Sequence, residues 1–172
     1  MKKRAIFFDR DGVINYRIVG AYVKTKHEFN LIPDFIPFFS MIKNLGYLAI
    51  IITNQQGIGK GLMDLAELEV VHAAMQTELL SLTNNSFDDI FFCSDLAETN
   101  SLRRKPNPGM LFDAIEKWDI EIENSWLIGD SKSDIEAGIK AKVKTILLQP
   151  DYCKSDFGQD MTVTSLNEIS HL

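Results

Sequence analysis

Hydrophobic residues in this chain fall mainly in short, unbroken runs: Ala5-Ile6-Phe7-Phe8, Leu48-Ala49-Ile50-Ile51-Ile52, Ile90-Phe91-Phe92-Cys93, Trp126-Leu127-Ile128 and Val143 to Leu148. Continuous rather than alternating apolarity predicts strands buried on both faces. Between the runs lie longer segments with helical spacing. The pattern predicts a helix over 33–45 with Phe35, Phe38, Phe39 and Ile42 inward, and one over about 64–82 carrying Leu65, Leu68, Val71, Met75 and Leu79. A third spans about 108–118, a fourth follows Ser131 through Ile135, Ala137, Gly138 and Ile139, and 160–172 reads as a short final strand and helix with Leu166 and Ile169 inward. Strands alternating with helices predict an α/β fold: a mainly parallel, Rossmann-like sheet with helices on both faces, in three layers. Residues 15–30 show no helical period and read as a loop or small hairpin above the first strand, either a solvated connection or a flap. Gly57-Ile58-Gly59-Lys60-Gly61 lacks the Lys-Ser/Thr ending of a P-loop and reads as a mobile turn before the long helix.

Polar residues collect where the apolar runs stop. The first run ends in Asp9-Arg10-Asp11-Gly12, and Gly12 allows a sharp turn. Two carboxylates so close repel unless a cation lies between them or one holds a proton. That is the arrangement wanted by a metal-assisted nucleophile with an acid/base beside it. An Asp after a strand is also a common turn former or helix cap. A calcium loop would need alternating oxygen ligands and a late Glu, which are missing. The second run ends in Thr53-Asn54-Gln55-Gln56, and Trp126-Leu127-Ile128-Gly129 ends in Asp130, with Asp134 at a helix start. Arg104-Lys105-Pro106-Asn107-Pro108 precedes the third helix; Pro106 keeps Lys105 extended, so the cations stand at the helix entrance. Parallel strands bring these ends to one edge, where open α/β sheets bind ligands. His72 has no partner ligand at helical spacing and reads as a surface or hydrogen-bonded histidine.

The 172 residues suit one domain with a full core, and 24% charged with 45% hydrophobic residues is an ordinary globular composition. A net charge of −6 argues against a nucleic-acid surface. The basic start is followed by an apolar run too short for a signal-peptide core, and no stretch is long enough to span a membrane. Cys93 and Cys153 fit no disulfide framework, so a cytoplasmic location is the expectation, with no membrane or nucleic-acid partner.

Asp9-x-Asp11-Gly12, Thr53-Asn54, Lys105 and Gly129-Asp130-x-x-x-Asp134 stand in the order and context of the haloacid dehalogenase (HAD) superfamily of phosphatases, which the chain resembles over nearly its whole length. Asp9 to Asn15, Thr53 to Ile58 and Arg104-Lys105-Pro106-x-Pro108-Gly109-Met110 resemble the small, cap-poor branch that acts on heptose bisphosphates and histidinol phosphate. The resemblance implies a minimal cap and a Mg²⁺-dependent phosphomonoesterase. Asp9 would be the nucleophile and Asp11 the general acid/base. Asp9, the Asp11 carbonyl and Asp130 would hold the metal. Thr53 and Lys105 would steady the phosphoryl group. Asp134 would orient Lys105 or a metal water, or cap its helix. Arg104 would read a second phosphate, and Gly20, Tyr22, Asn54, Gln55 and Gln56 would cover the sugar.

The expected substrate is a small phosphorylated metabolite, first the 7-phosphate of a heptose 1,7-bisphosphate and second histidinol phosphate. Arg17, Lys24, Lys26 and Arg104 favour an anionic ligand over an amine. A monomer is expected. Relatives in this branch often hold a structural zinc through cysteines before the Arg-Lys pair. Only Cys93 stands here, with Leu102-Arg103 in the later positions, so no zinc is expected and the loop should be held by packing. A receiver-like regulatory module also pairs acids with Thr and Lys, but lacks a general acid two residues beyond its phosphorylated Asp.

Overall fold

The computed structural model describes residues 2–150 and 153–172. Six strands form one parallel sheet: β1 (Ala5–Phe8), β2 (Leu48–Asn54), β3 (Asp89–Cys93), β4 (Trp126–Gly129), β5 (Lys144–Leu148) and β6 (Met161–Val163), in the spatial order β3-β2-β1-β4-β5-β6. The chain builds outward from β1 to β3 and then crosses to the other side for β4. The order therefore reverses between β1 and β4, the switch point at which such sheets open a crevice.

Side chains alternate across the sheet, which explains why the strands are apolar throughout. Ile6 and Phe8 of β1 join Ile51, Ile128 and Ile146 under α1 (Phe35–Asn44) and the helix over Leu65–Thr83. Ala5 and Phe7 face the other way, with Ile50, Ile52 and Leu127, toward α4 (Gly109–Trp118) and α5 (Lys132–Ala141). A short helix, α2 (Gln56–Gly59), precedes that long one, α3 (Leu65–Thr83). Asp64 caps α3 by accepting from the Glu67 amide at 2.8 Å while Glu67 accepts from the Asp64 amide, and Leu68, Val71, Met75 and Leu79 form its buried stripe. Leu65, expected inward, lies in the first turn and is exposed.

Two local expectations need correction. Of residues 57–61, read as a turn, Gly57–Gly59 lies in α2, where the Lys60 amide donates to the Gln56 carbonyl at 3.0 Å, and only Lys60 and Gly61 turn. The final helix is only a 3-10 turn over Leu166–Glu168, although Leu166 and Ile169 are buried as the pattern requires. Residues 15–30 form a loop whose ends meet. Asn15 bridges to Leu31, and the Tyr16 amide donates to the Asn30 carbonyl at 3.0 Å. Among the described residues no helix is long and apolar enough to cross a membrane.

Under α1 the core is an aromatic cluster. Phe87 lies with its ring centre 4.9 Å from Phe39 and 5.9 Å from both Phe8 and Phe35. Phe8 is the residue before Asp9, so this cluster also anchors the strand end that carries the first acid. Phe87→Ala opens a cavity that rigid neighbours only partly fill, and it should cost about 3–5 kcal/mol in urea unfolding at neutral pH.

Candidate active site

Asp9 follows β1 directly, and its amide donates to the Ile128 carbonyl of β4 at 2.9 Å, tying the two strand ends together. Asp130 follows β4, Thr53 and Asn54 close β2, and Lys105 precedes α4. Asp9, Thr53, Asn54 and Lys105 reach a common cavity of about 470 Å³ beyond the carboxyl edge of the sheet, lined also by Asp11, Arg17, Tyr22, Lys60, Arg104 and Asp134. Asp130 is not among the lining residues and is paired with Arg17, which is. Two close backbone approaches make this convergence possible. Gly12 has φ of +99°, and a Cβ there would lie 2.0 Å from an Asp130 carboxylate oxygen. A Cβ on Gly129 would lie 2.1 Å from Cβ of Asp134.

The buried Lys105 ammonium is the centre of the arrangement. Its Nζ donates to Asp9 Oδ1 at 2.9 Å and to the Ile52 carbonyl at 2.7 Å, and is ion-paired with Asp134 Oδ1 at 2.6 Å. Burial works against its charge, but Asp134 and Asp9 outweigh that and hold it above the ordinary lysine value. Asn54 fixes the backbone beneath it, accepting from the Lys105 amide at 3.1 Å and donating to the Lys105 carbonyl at 3.0 Å. Asp134 does both things expected of it. It pairs with Lys105, and its Oδ2 accepts from the Ser131 amide and hydroxyl as an α5 capping box.

Asp11 is held differently. Oδ1 accepts from Arg10 Nη2 at 3.1 Å and Asn15 Nδ2 at 3.0 Å; Oδ2 accepts from Arg10 Nη2 at 2.9 Å and Gln55 Nε2 at 3.0 Å. Burial alone would raise this carboxyl, but the Arg10 charge and these donors keep it below the ordinary value. Asp9 goes the other way: burial, only partly offset by Lys105 and reinforced by Asp134 and Asp11, pushes it up to about 6. Burial and the Asp9 charge push Asp130 up to about 7, against the pull of Arg17. Two acids two residues apart in sequence, Asp9 and Asp11, are thus shifted in opposite directions by their surroundings.

Several sequence expectations change. Gln55 does not line the cavity. It is buried, and its amide also donates to Thr53 Oγ1 at 3.0 Å, so it sets Asp11 and Thr53 rather than covering a ligand. Thr53 Oγ1 accepts that bond, which leaves its own proton to be offered to the cavity it lines. Gln56 accepts from Arg104 Nη2 at 3.3 Å and steadies that guanidinium, whose Nη1 donates to the Asp95 carbonyl. Gly20 and Tyr22 line the cavity, with Tyr22 seated on Gly57, where a Cβ would come within 2.9 Å of the ring. Lys24 and Lys26 are not among the lining residues; Lys60 is. The loop before Arg104 is held by hydrogen bonds more than by packing: Cys93 Sγ donates to Asp95 at 3.4 Å, Asn107 donates to the Ser101 carbonyl, and Leu102 is 79% exposed.

Arg10, Arg17 and Lys60 were the residues that sequence reasoning underrated. Arg10, which separates the two acids of the opening motif in sequence, is wholly buried and pairs with Asp11. The cation in Asp9-Arg10-Asp11 was the available signal, since two adjacent acids call for one. Arg17 donates from Nη2 to both Asp130 oxygens at 2.8 Å and to the Asp11 carbonyl at 3.3 Å. Asp9, Asp130 and Asp134 each offer a carboxylate oxygen within 4.8 Å of the others. With Asp134 engaged by Lys105 and Ser131, the oxygens left for a metal are those of Asp9, Asp130 and the Asp11 carbonyl. A hard, all-oxygen set of this kind fits Mg²⁺, and two of its three members, Asp130 and the Asp11 carbonyl, already face the Arg17 guanidinium.

An acid directly after β1, a second acid two residues on and a buried lysine across a parallel switch point are the arrangement of a HAD-type phosphatase. A family model described as HAD-hydrolase-like matches residues 102–167. The D-glycero-beta-D-manno-heptose-1,7-bisphosphate 7-phosphatase of Helicobacter pylori strain J99 is 39% identical over 145 residues, covering 84% of this chain and 82% of that protein. The D-glycero-alpha-D-manno-heptose-1,7-bisphosphate 7-phosphatase of Burkholderia mallei is 36% identical over 172 residues, covering 96% and 88%. The solved D,D-heptose 1,7-bisphosphate phosphatase of B. bronchiseptica, complexed with magnesium and phosphate, superposes with a TM-score of 0.84 at 26% identity, covering 95% of this chain and 93% of that one. The chain belongs to the D-glycero-D-manno-heptose-1,7-bisphosphate 7-phosphatase family of the HAD superfamily.

Behind Asp11, Arg10 Nη1 lies 3.3 Å from Nε2 of His72, so the histidine is hydrogen-bonded, as the sequence suggested, and not a metal ligand candidate. Burial, and then the Arg10 charge, lower His72 to about 4. The unfolded chain therefore takes up a proton at His72 near pH 6.5 that the folded state refuses. This residue subtracts nothing above that pH and removes stability progressively as pH falls from 6.5 toward 4. Between pH 7.5 and 4.5, wild type should lose on the order of 2 kcal/mol more than His72→Gln in urea unfolding.

Proposed function

We infer that this phosphatase removes the 7-phosphate of D-glycero-D-manno-heptose 1,7-bisphosphate, with Mg²⁺, through an aspartyl phosphate on Asp9. The chain acts as one catalytic unit with residues 15–30 as a partial cover. The observation that carries the reading is the Lys105 ammonium 2.9 Å from Asp9 and 2.6 Å from Asp134, at the base of a cavity whose walls include Arg17, Lys60 and Arg104. That charge distribution suits a substrate with one phosphate at the acids and a second anion at the rim.

An Asp9 carboxylate oxygen attacks phosphorus, and the bond from phosphorus to the sugar oxygen breaks. The departing alkoxide takes a proton from Asp11, giving the free hydroxyl and a phosphorylated Asp9. Asp11, now a carboxylate, takes a proton from water as that water attacks phosphorus, which restores Asp9 and releases phosphate. Mg²⁺ held by the Asp9 and Asp130 carboxylates and the Asp11 carbonyl would neutralise charge on the transferring group. Lys105 offsets the charge of Asp9 and the phosphoryl oxygens, and Thr53 donates its free proton to one of them. Asn54 acts through Lys105, Gln55 through Asp11, and Gln56 through Arg104. Three donor groups making four hydrogen bonds keep Asp11 ionised, the form that takes a proton in the second step. Protonation for the first step is helped by the anionic substrate itself, whose charge raises the neighbouring carboxyl.

A cationic rim disfavours histidinol phosphate, whose amine wants an acidic partner. A receiver-like module would acquire one phosphoryl group per chain, whereas this site retains a base to hydrolyse it. The relatives carry names for both anomers, so the deciding measurement is phosphate release with Mg²⁺ from both heptose bisphosphate anomers, fructose 1,6-bisphosphate and histidinol phosphate. One heptose anomer should exceed all the others in kcat/KM by at least about tenfold; equal low rates on all four overturn the assignment.

Two variants test the roles. Asp9→Asn should fold normally and show no turnover on any phosphate ester, because an amide cannot form the intermediate. Arg104→Ala should lower kcat/KM on the bisphosphate by about thirtyfold, the worth of one charge-assisted contact, while an aryl phosphate without a second anion loses far less.

A further inference from the structure

Arg17 stands out among the cavity residues because of how it binds. Arginine ordinarily meets a carboxylate with two nitrogens in a planar fork. Here one nitrogen, Nη2, takes both Asp130 oxygens at 2.8 Å each and the Asp11 carbonyl at 3.3 Å. Three oxygens around a single positive centre is the contact pattern of a coordinated cation. Both groups involved, Asp130 and the Asp11 carbonyl, are among the three left for a metal once Asp134 is engaged by Lys105 and Ser131. The guanidinium and a divalent ion cannot both hold them.

Nothing locks Arg17 there. Its side chain is 52% exposed, against 17% for Asp130, and it borders the cavity that the substrate enters. The backbone on either side is fixed independently. The Tyr16 amide donates to the Asn30 carbonyl, and the Ile18 carbonyl accepts from the Ala21 amide. The guanidinium can therefore leave Asp130 by side-chain rotation alone. Arg104, the other arginine of the cavity wall, is bonded to the Asp95 carbonyl and Gln56.

We propose that Arg17 is a resident cation of the metal site, which the divalent ion must displace, so that metal binding releases the guanidinium into the substrate cavity. The coupling is reciprocal: an anionic substrate that takes up the freed guanidinium tightens metal binding by the same factor. The metal-free site keeps its acids together by this means, and the bound site gains a cation facing the substrate. The inference rests on the Mg²⁺ reading given above.

The test is calorimetric titration of Mg²⁺ into the protein without substrate, for wild type, Arg17→Gln, Arg17→Lys and Arg104→Gln, alongside thermal unfolding with and without Mg²⁺. Arg17→Gln should bind Mg²⁺ at least about fivefold more tightly than wild type, with Arg17→Lys between them. Its metal-free melting temperature should fall, and its stabilisation by Mg²⁺ should exceed that of wild type. Arg104→Gln removes the same charge from the same cavity wall without touching Asp130, and its gain should be clearly smaller. Unchanged or weaker Mg²⁺ binding in Arg17→Gln overturns the proposal, as do equal gains in both glutamine variants, which would mean a general field and no direct competition. If wild type and all variants bind no Mg²⁺, the metal reading fails and this inference fails with it.

Discussion

One buried ammonium makes the rest of the site possible. A lone ammonium in a protein interior is strongly disfavoured, and so is a cluster of carboxylates. Placed together they solve each other's problem. Lys105 donates to Asp9 and to the Ile52 carbonyl, and its charge is paired with Asp134. The same logic repeats around it. Arg10 meets Asp11, and Arg17 meets Asp130. Four acids are set against Lys105, Arg10 and Arg17 in this cluster, a small negative excess among the groups in direct contact, while Arg104 and Lys60 stand on the same cavity wall. A divalent ion among the acids would reverse that excess and favour an arriving phosphate dianion. The raised Asp9 and Asp130 and the lowered Asp11 express the same imbalance locally.

The fold supplies the distances. Asp9 and Asp130 are far apart in sequence, but each ends a strand, and β1 and β4 are hydrogen-bonded neighbours. The switch in strand order opens the edge above them, so no crossing helix fills the space. The remaining ångströms come from backbone that passes without side chains, at Gly12 beside Asp130 and Gly129 beside Asp134. The aromatic cluster through Phe8 and Phe87 secures the strand that presents the first acid.

Sheet, helix order and the acids at strand ends were legible because each depends on local signals: unbroken apolar runs, helical spacing and polar residues where a strand stops. Less legible was the direction of a side chain beyond a strand end. Gln55 follows Thr53 and Asn54 in sequence and looks equally exposed to a ligand. It turns beneath the site because Asp11 and Thr53 both need its amide. Lys24 and Lys26 looked closer to the site than Lys60, yet Lys60 reaches the cavity because α2 is a helix that turns it there, not a mobile loop. The terminal helix failed for want of length: only Leu166 to Glu168 form a turn, and two buried side chains suffice to pin it.

Arg10 carries this argument one step further. Its guanidinium meets Asp11 and Gln55, and His72 on its far side is held neutral by burial and by Arg10 itself. A neutral imidazole can accept from an arginine, and a protonated one cannot. The neutral histidine thus keeps the guanidinium turned toward Asp11, although Arg10 Nε remains without a partner. That residual cost is tolerated where the remaining bonds fix the Asp11 carboxylate. In the mechanism proposed above, Asp11 would enter as a carboxylate fixed by four hydrogen bonds, in the form that takes a proton from water, and the substrate's own charge would have to raise it before it could give one. The two proposed steps would therefore make unequal demands on one side chain. The surrounding residues would favour the second, hydrolytic step, and leave the first to be balanced by what binds in the cavity.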